Sequence, residues 1–270
     1  MKITASIVTY KTDREELRRC LCSLSSPLVD HIYIVDNSPE ESLRNFCDEF
    51  SNVEYIYNGA NLGYGAAHNV AIRKSLKRGT LYHLVLNSDV YFDSEVISRI
   101  YEFMQNNADV AQLIPDVRYP DGKRQYVCRM LPSPANLVFR RFLPQNVIQQ
   151  MDSDYLMMYS HHQQSMNVPY LQGSFMFFRN SCFEKIGLFD ERFFMYPEDI
   201  DITRRMHREY RTLYWPEVSI VHAHRAASYK SKRMLFIHVW NMIKYFNKWG
   251  WIFDDERKKW NRRLVEKYTD

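Results

Sequence analysis

Glycine is scarce, with 8 in 270 residues. That argues against a β-sandwich built on many tight turns. Cysteines are few and odd in number (Cys20, Cys22, Cys47, Cys128 and Cys182), with no Cys-x-x-Cys pair. The pattern fits reduced thiols in a cytosolic protein rather than a disulfide framework. No apolar stretch approaches the ~18 residues a spanning helix needs. The opening Lys2–Val8 run is too short, and too soon polar, for a secretory leader. The body also lacks cationic excess. Residues 230–270 hold 11 Lys/Arg and 5 Asp/Glu, a balance of +6. The whole chain is +4, so residues 1–229 sum to −2. With no basic body and no recognisable module, nucleic-acid binding is not expected.

The remaining composition is globular: 46% hydrophobic and 25% charged. A chain of this length buries a core without needing a disulfide or a structural metal. Aromatics reach 15%, which suits sugar stacking, a membrane interface or a large core.

Apolar runs alternate with helical patterns through the first half. Strands are expected at Ile3–Thr9, His31–Asp36, Val53–Tyr57, Tyr82–Asn87 and Ala111–Ile114. Helices are expected at Asp13–Leu24, Glu40–Phe50, Gly65–Arg78 and Ser94–Asn106. Such alternation means a parallel sheet with helices on both faces. Later, Tyr119–Gly122 reads as a turn and 131–152 as loop with a short helix. Val168–Phe178 reads as a strand, Asp199–Tyr210 as a helix, and Thr212–Tyr214 and Val218–His222 as two short strands. Tyr229–Trp249 and Asp255–Lys267 read as helices. The composition change at the C-terminus divides the chain into 1–228, an α/β domain, and 229–270, a basic aromatic appendage. That appendage suits an anionic membrane surface, or packing on the body or on a second subunit.

The chemistry-bearing residues cluster at strand ends. Strand 1 ends in Thr9-Tyr10, strand 2 in Asp36-Asn37-Ser38, and strand 4 in Asn87-Ser88-Asp89. In a parallel sheet these fall on the carboxyl edge, where ligands bind. Any one cluster could cap the next helix; three on one edge point to a ligand site. A carboxylate after strand 2 can accept bonds from a base or ribose. One after strand 4 can hold a divalent cation bridging a diphosphate. In Asn61-Leu-Gly63-Tyr-Gly65-Ala-Ala-His68-Asn69, glycines let the backbone approach a ligand and open a helix. A dinucleotide fold needs its glycines after the first strand. That turn, Tyr10–Asp13, has none, which disfavours a nicotinamide oxidoreductase. Glu198-Asp199-Ile-Asp201 places three carboxylates together, as helix-dipole decoration or as a proton-sharing group. His222-Ala-His224 ends an apolar run where a histidine could join Asp89 on a metal.

Taken in order, these motifs, with Gly173-Ser174 and Phe189-Asp-Glu-x-Phe-Phe-Met195, resemble a family 2 glycosyltransferase of the GT-A fold. The likeness runs from about residue 3 to 231 and is strongest to bacterial rhamnosyltransferase-like enzymes of surface polysaccharide assembly. It implies a mostly parallel Rossmann-like sheet flanked by helices, with further C-terminal helices. It implies inverting transfer from a nucleotide-diphosphate sugar, dTDP-rhamnose ahead of UDP-hexoses, to a glycan or lipid-linked acceptor. Thr9, Asp36 and Asn61 would hold the nucleoside, flanked by Tyr10 and Asn37. The backbone around Gly63 and Gly65 would admit nucleotide and sugar, with Asn69 and Gly173 close by. Asp89 would bind Mg2+ or Mn2+ with His222 as partner. Asp199 would be the base, and Glu198 and Asp201 would shape the acceptor pocket. The first carboxylate of the metal motif is replaced by Asn87, which leaves that site one negative charge short. Arg129 and Lys230 are weaker candidates for neutralising the departing diphosphate and read as solvated. A non-catalytic carbohydrate-binding protein on a decayed transferase fold is the alternative.

Overall fold

A computed structural model describes residues 1–137, 144–223 and 232–269. In chain order its elements are β1 (Ile3–Thr9), α1 (Arg14–Ser23), β2 (Val29–Asp36), α2 (Arg44–Cys47), β3 (Val53–Tyr57), α3 (Tyr64–Lys77), β4 (Tyr82–Leu86), β5 (Val90–Tyr91), α4 (Glu95–Asn106) and β6 (Val110–Arg118). There follow β7 (Arg124–Gln125), β8 (Cys128–Arg129), α5 (Pro134–Leu137), α6 (Gln145–Tyr155), β9 (Met166–Asn167), β10 (Tyr170–Leu171), β11 (Phe175–Arg179) and α7 (Phe183–Ile186). The chain closes with α8 (Glu198–His207), β12 (Arg211–His222), α9 (Lys232–Trp249) and α10 (Asp255–Tyr268).

The main sheet runs β3-β2-β1-β4-β11-β6-β12-β5, with β7 on β6 and β9 on β12. Strands β1 to β4 are mutually parallel, and β12 runs parallel to β6. β11 is antiparallel to both of its neighbours, β4 and β6. Two reversals restore the direction, so β6 and β12 point the same way as β1. Thr9, Asp36, Leu86 and His222 therefore end on one edge, as expected. Because β11 is antiparallel it begins there, with Phe175 opposite Leu86. That start brings Gly173 to the same edge. β1 is buried at every position but Val8, as a strand covered on both faces must be.

The sequence reading departs from this structure in three places. Glu40–Phe50 is helical only over Arg44–Cys47, because just Leu43, Phe46 and Cys47 face the core. The apolar run Val168–Phe178 is not one strand. It breaks at Gly173, and β10 pairs with β8 in a separate two-stranded sheet. The two short strands after α8 are a single strand, β12, with a register shift between Trp215 and Ser219. Pro216 lies in that interval; lacking an N–H, proline is confined to such irregularities.

The C-terminal helices pack on the body. Met242, Tyr245 and Phe246 of α9 join Leu131, Tyr170, Phe193 and Ile200 in one apolar cluster. Arg204 of α8, 1% exposed, pairs both guanidinium ends with Asp254 at 2.8 and 2.6 Å. It also meets Glu256 at 2.8 Å and the Trp249 ring at 4.2 Å.

Candidate active site

Helix α3 is held from below by a buried polar network that sequence reasoning missed. Ser6 Oγ lies between His68 Nδ1 at 2.7 Å and His83 Nε2 at 2.8 Å, and His83 Nδ1 meets Thr4 Oγ1 at 2.8 Å. Burial pushes His83 down to about 3 and His68 well below the usual imidazole range. Both rings are neutral spacers that fix α3 against β1 and β4.

The glycine loop ahead of α3 is built for close approach, but to protein. Gly63 has φ +87°, and a Cβ there would stand 2.3 Å from Phe194 O. Tyr64 N–H donates to that same carbonyl at 2.9 Å. A Cβ on Gly65 would meet Phe189 Cβ at 2.9 Å. Both glycines thus admit the 189–194 segment. Asn69 serves the same contact: its amide donates to Phe189 O and Glu191, and its oxygen accepts from Phe189 N–H. Asn37 spans the loop, donating to Gly63 O at 3.2 Å and accepting from Asn58 at 2.8 Å. Asn61 Oδ1 accepts from Gly63 N–H at 3.0 Å. Asn37, Asn61 and Asn69 therefore hold the loop in shape.

At the ends of β1 and β2, Thr9 and Asp36 are fully buried. Asp36 accepts from Ser38 N–H at 2.9 Å and from the Tyr55 hydroxyl at 2.6 Å. Burial and this carboxylate hold the Tyr55 hydroxyl well above the usual phenol range. The Thr9 hydroxyl has no partner among the described residues. Tyr10 is half exposed at the edge above them.

The metal-motif side is organised by β5 pairing with the end of β12, His222 opposite Val90. Ala223 N–H donates to Asp89 O at 3.0 Å. His222 Nε2 stands 3.3 Å from Asp89 Oδ1. Gln125, which the sequence did not single out, sets the imidazole's orientation. Its amide donates to His222 O at 2.7 Å, so its oxygen faces His222 Nδ1 at 2.9 Å. Nδ1 then carries the hydrogen and Nε2 turns to Asp89. A fixed hydrogen bond on the far nitrogen is how ligating histidines are usually oriented. Asn87 turns its amide nitrogen to His222 at 3.4 Å and its oxygen to the Tyr64 hydroxyl at 3.0 Å. It does not offer an oxygen to the Asp89–His222 position. Among the described residues no group of three or more His, Cys, Asp or Glu is placed to hold a metal. A carboxylate and an imidazole alone fit a cation that arrives with substrate phosphates, the usual mode for small divalent ions. His224 and Lys230 lie outside the described residues.

Tyr64 joins this side to the α8 carboxylates. Its hydroxyl lies 3.0 Å from Asn87 Oδ1 and 2.6 Å from Gly173 O. Gly173 N–H donates to Asp199 Oδ2 at 3.0 Å, and a Cβ on Gly173 would stand 3.3 Å from Asp199 Cβ. Asp199 is buried at the first turn of α8, with Ile200 N–H on its other oxygen at 2.8 Å. Burial pushes Asp199 up to about 7, against the pull of those N–H groups and the nearby Arg129 charge. Burial and the Asp199 charge push Glu198 well above the usual carboxylate range. Glu198 Oε2 has no partner among the described residues.

Asp201 parts company with them. Two residues along a helix is over half a turn, so it points to the side opposite Asp199. It is fully buried and accepts from Arg205 Nε and Trp249 Nε1, both at 2.9 Å, with Lys248 also on it. It docks α9 on α8. Arg129 is part-buried rather than fully solvated. It lies against Tyr155 and Tyr170, beside Asp199.

This fold and site define a GT-A glycosyltransferase. The Glycosyl transferase family 2 sequence model matches residues 4–187, and the chain belongs to that family. The low-salt glycan biosynthesis hexosyltransferase Agl10 of Haloferax volcanii is 31% identical over 208 residues, 75% of this chain and 61% of that protein. The N-acetylglucosaminyl-diphospho-decaprenol L-rhamnosyltransferase of Mycobacterium tuberculosis is 28% identical over 247 residues, 82% of this chain and 75% of that one. The chain therefore spans about three fifths to three quarters of these relatives. In fold it is similar to GalNAc-T7, solved with UDP, GalNAc and Mn2+, at TM-score 0.63 and 13% identity over 83% of this chain and 43% of that one.

Proposed function

We propose that the protein transfers a sugar, rhamnose before other hexoses, from a nucleotide-diphosphate donor to a hydroxyl of a lipid-linked glycan, inverting the anomeric centre. The carrying observation is Asp199: a buried carboxylate fixed by Gly173 and linked through Tyr64 to the Asp89–His222 corner. Its proton affinity near neutrality suits a general base. Asp199 takes the acceptor hydroxyl's proton as that oxygen attacks the anomeric carbon. The bond from that carbon to the diphosphate breaks on the opposite face, and the diphosphate leaves with the electron pair. Asp89 and His222 would hold Mg2+ or Mn2+, whose charge offsets that of the leaving diphosphate when bound. Thr9 and Tyr10 sit where the nucleoside would lie, with Asp36 fixing Tyr55 and Ser38 beneath it. Glu198, adjacent to Asp199, lines the sugar side. The described residues up to 223 carry this site, and α9 and α10 buttress α8.

The outer face of those last helices suits the inner, cytoplasmic surface of the membrane, where a lipid-linked acceptor would sit. Phe236 and Trp240, 70% and 52% exposed, stack one turn apart. Ile252 and Phe253 are also exposed, and Lys258, Lys259, Arg262 and Arg263 line the outside of α10. No helix among the described residues is long and apolar enough to cross a membrane, so such contact would be peripheral.

Incubation with dTDP-rhamnose or UDP-hexoses, a prenyl-diphosphate-linked N-acetylglucosamine and Mn2+, read by mass spectrometry and NMR, tests the reading. A single inverted glycoside from dTDP-rhamnose is expected. Donor binding without transfer from any donor to any acceptor would favour a non-catalytic carbohydrate-binding role.

A further inference from the structure

Among the described residues, the other arginines drawn into the interior have carboxylate partners or a set of backbone acceptors. Arg204 has Asp254 and Glu256, Arg205 has Asp201, and Arg124 has Asp116. Arg179 has backbone carbonyls of Val110, Met104 and Asn107. Arg129 differs. Its Nε–H donates to Tyr126 O at 2.9 Å. Its guanidinium lies 5.9 Å from the Tyr155 ring centre and 5.6 Å from that of Tyr170. Among the described residues no carboxylate is within ion-pair distance of it. A part-buried guanidinium with no directly paired anion carries a desolvation cost, which the Tyr155 hydroxyl, the tyrosine rings and the Asp199 charge beyond ion-pair distance offset only in part. Its planar fork of donors is shaped for a phosphate or carboxylate.

The location says which anion. The Tyr170 hydroxyl is 3.5 Å from Asp199 Oδ2. The connected line runs from Asp89 and His222 through Asn87, Tyr64, Gly173 and Asp199 to Tyr170 and Arg129. Arg129 therefore stands on the Tyr170 side of the base, whereas the Asp89–His222 corner connects to the base through Asn87, Tyr64 and Gly173. An acceptor sugar presenting its hydroxyl to Asp199 would carry its own anomeric substituent toward the Tyr170 side. We propose that Arg129, packed against the rings of Tyr155 and Tyr170, binds the diphosphate that links the acceptor sugar to its lipid, and so selects diphosphate-linked acceptors over neutral glycosides. This rests on the transferase reading and adds the group that recognises the acceptor.

Three proteins (wild type, Arg129→Gln and Arg129→Lys) and two acceptors test it. The acceptors are a short-chain prenyl-diphosphate-linked N-acetylglucosamine and the neutral octyl glycoside of the same sugar. In Arg129→Gln, KM for the diphosphate acceptor should rise about 10- to 100-fold, the loss of a charge-assisted contact. KM for the neutral acceptor and for the nucleotide sugar should stay within about twofold of wild type, and Arg129→Lys should recover part of the loss. A common fall in kcat is expected, because the Arg129 charge lowers the proton affinity of Asp199; an equal rise in KM for both acceptors would overturn the proposal. A rise confined to the nucleotide-sugar KM would assign the contact to the donor's diphosphate instead. Calorimetry of the diphosphate acceptor without donor separates this from the transferase reading. Arg129-dependent binding in a protein that transfers nothing would keep the site and sink the reaction. Binding equal in wild type and Arg129→Gln would sink the site whatever the activity.

Discussion

Replacing Asp254 by Ala removes the carboxylate that holds Arg204, and the structure sets the cost. Arg204 is 1% exposed and Asp254 3%. Breaking such a pair from one side leaves a buried charge, typically costing about 3–5 kcal/mol. Glu256, 24% exposed, still reaches Arg204 at 2.8 Å, so the lower figure of about 3 kcal/mol is expected. Asp254 also caps α10 through Arg257 N–H at 3.0 Å, and losing a cap adds about 1 kcal/mol. For a chain of this size each kcal/mol lowers Tm by about 2–4 °C, so about 4 kcal/mol corresponds to a fall of about 8–16 °C. Neighbouring positive charge holds the Asp254 carboxyl below its usual range despite its burial. A depressed carboxyl contributes stability above its unfolded pKa and loses it as pH falls through the folded value. The deficit of the Ala variant should then be constant from about pH 6 to 8 and shrink in acid. Because α9 holds Asp201 through Trp249 and Lys248, kcat should fall with Tm. Calorimetric melts across pH decide it. A Tm change under about 2 °C, or a deficit that grows in acid, would refute the reasoning.

Two further outcomes are expected. Asp89→Ala should abolish the Mn2+-dependent part of nucleotide binding, and His222→Ala should weaken it less, as read by calorimetry with and without EDTA; unchanged affinity in both would remove the Asp89–His222 corner from the donor site. The full chain should pellet with anionic vesicles at low salt and release at high salt, since each Lys or Arg near such a surface contributes about 1 kcal/mol; indifference to vesicles at low salt would assign the Phe236–Trp240 face to a protein contact.

The sequence made the edge of the sheet legible because strand alternation and polar strand ends are local patterns. β1 and β3 have the bounds read from their apolar runs. What the local pattern could not carry was the identity of distant partners. The Gly63 and Gly65 pattern signals close approach, but that the approaching group is Phe194 or Phe189 depends on a segment some 125 residues away. Glu198, Asp199 and Asp201 read as one acidic cluster, although helix geometry sends Asp201 to Trp249 and Arg205. Gln125 and Arg129 carry no motif, and only the β7 and β8 pairings bring them to the site. Tyr64 was within reach, standing between the two motif glycines at the head of α3.

The claim on which the account turns is that Asp199 removes the acceptor proton. Since burial raises its pKa to about 7, wild-type kcat should climb through neutral pH as the carboxylate forms. A raised carboxyl contributes stability at low pH and loses it as pH rises through the folded value, so this climb cannot be a gain in folding. The direct measurement is the kcat–pH profile of wild type against Asp199→Asn, with donor affinity measured alongside. The account expects the Asn variant to lose about 10²–10⁴ in kcat and the neutral limb of its profile, with donor affinity within about twofold. An Asn variant that turns over within tenfold of wild type, or keeps the same neutral limb, would contradict it.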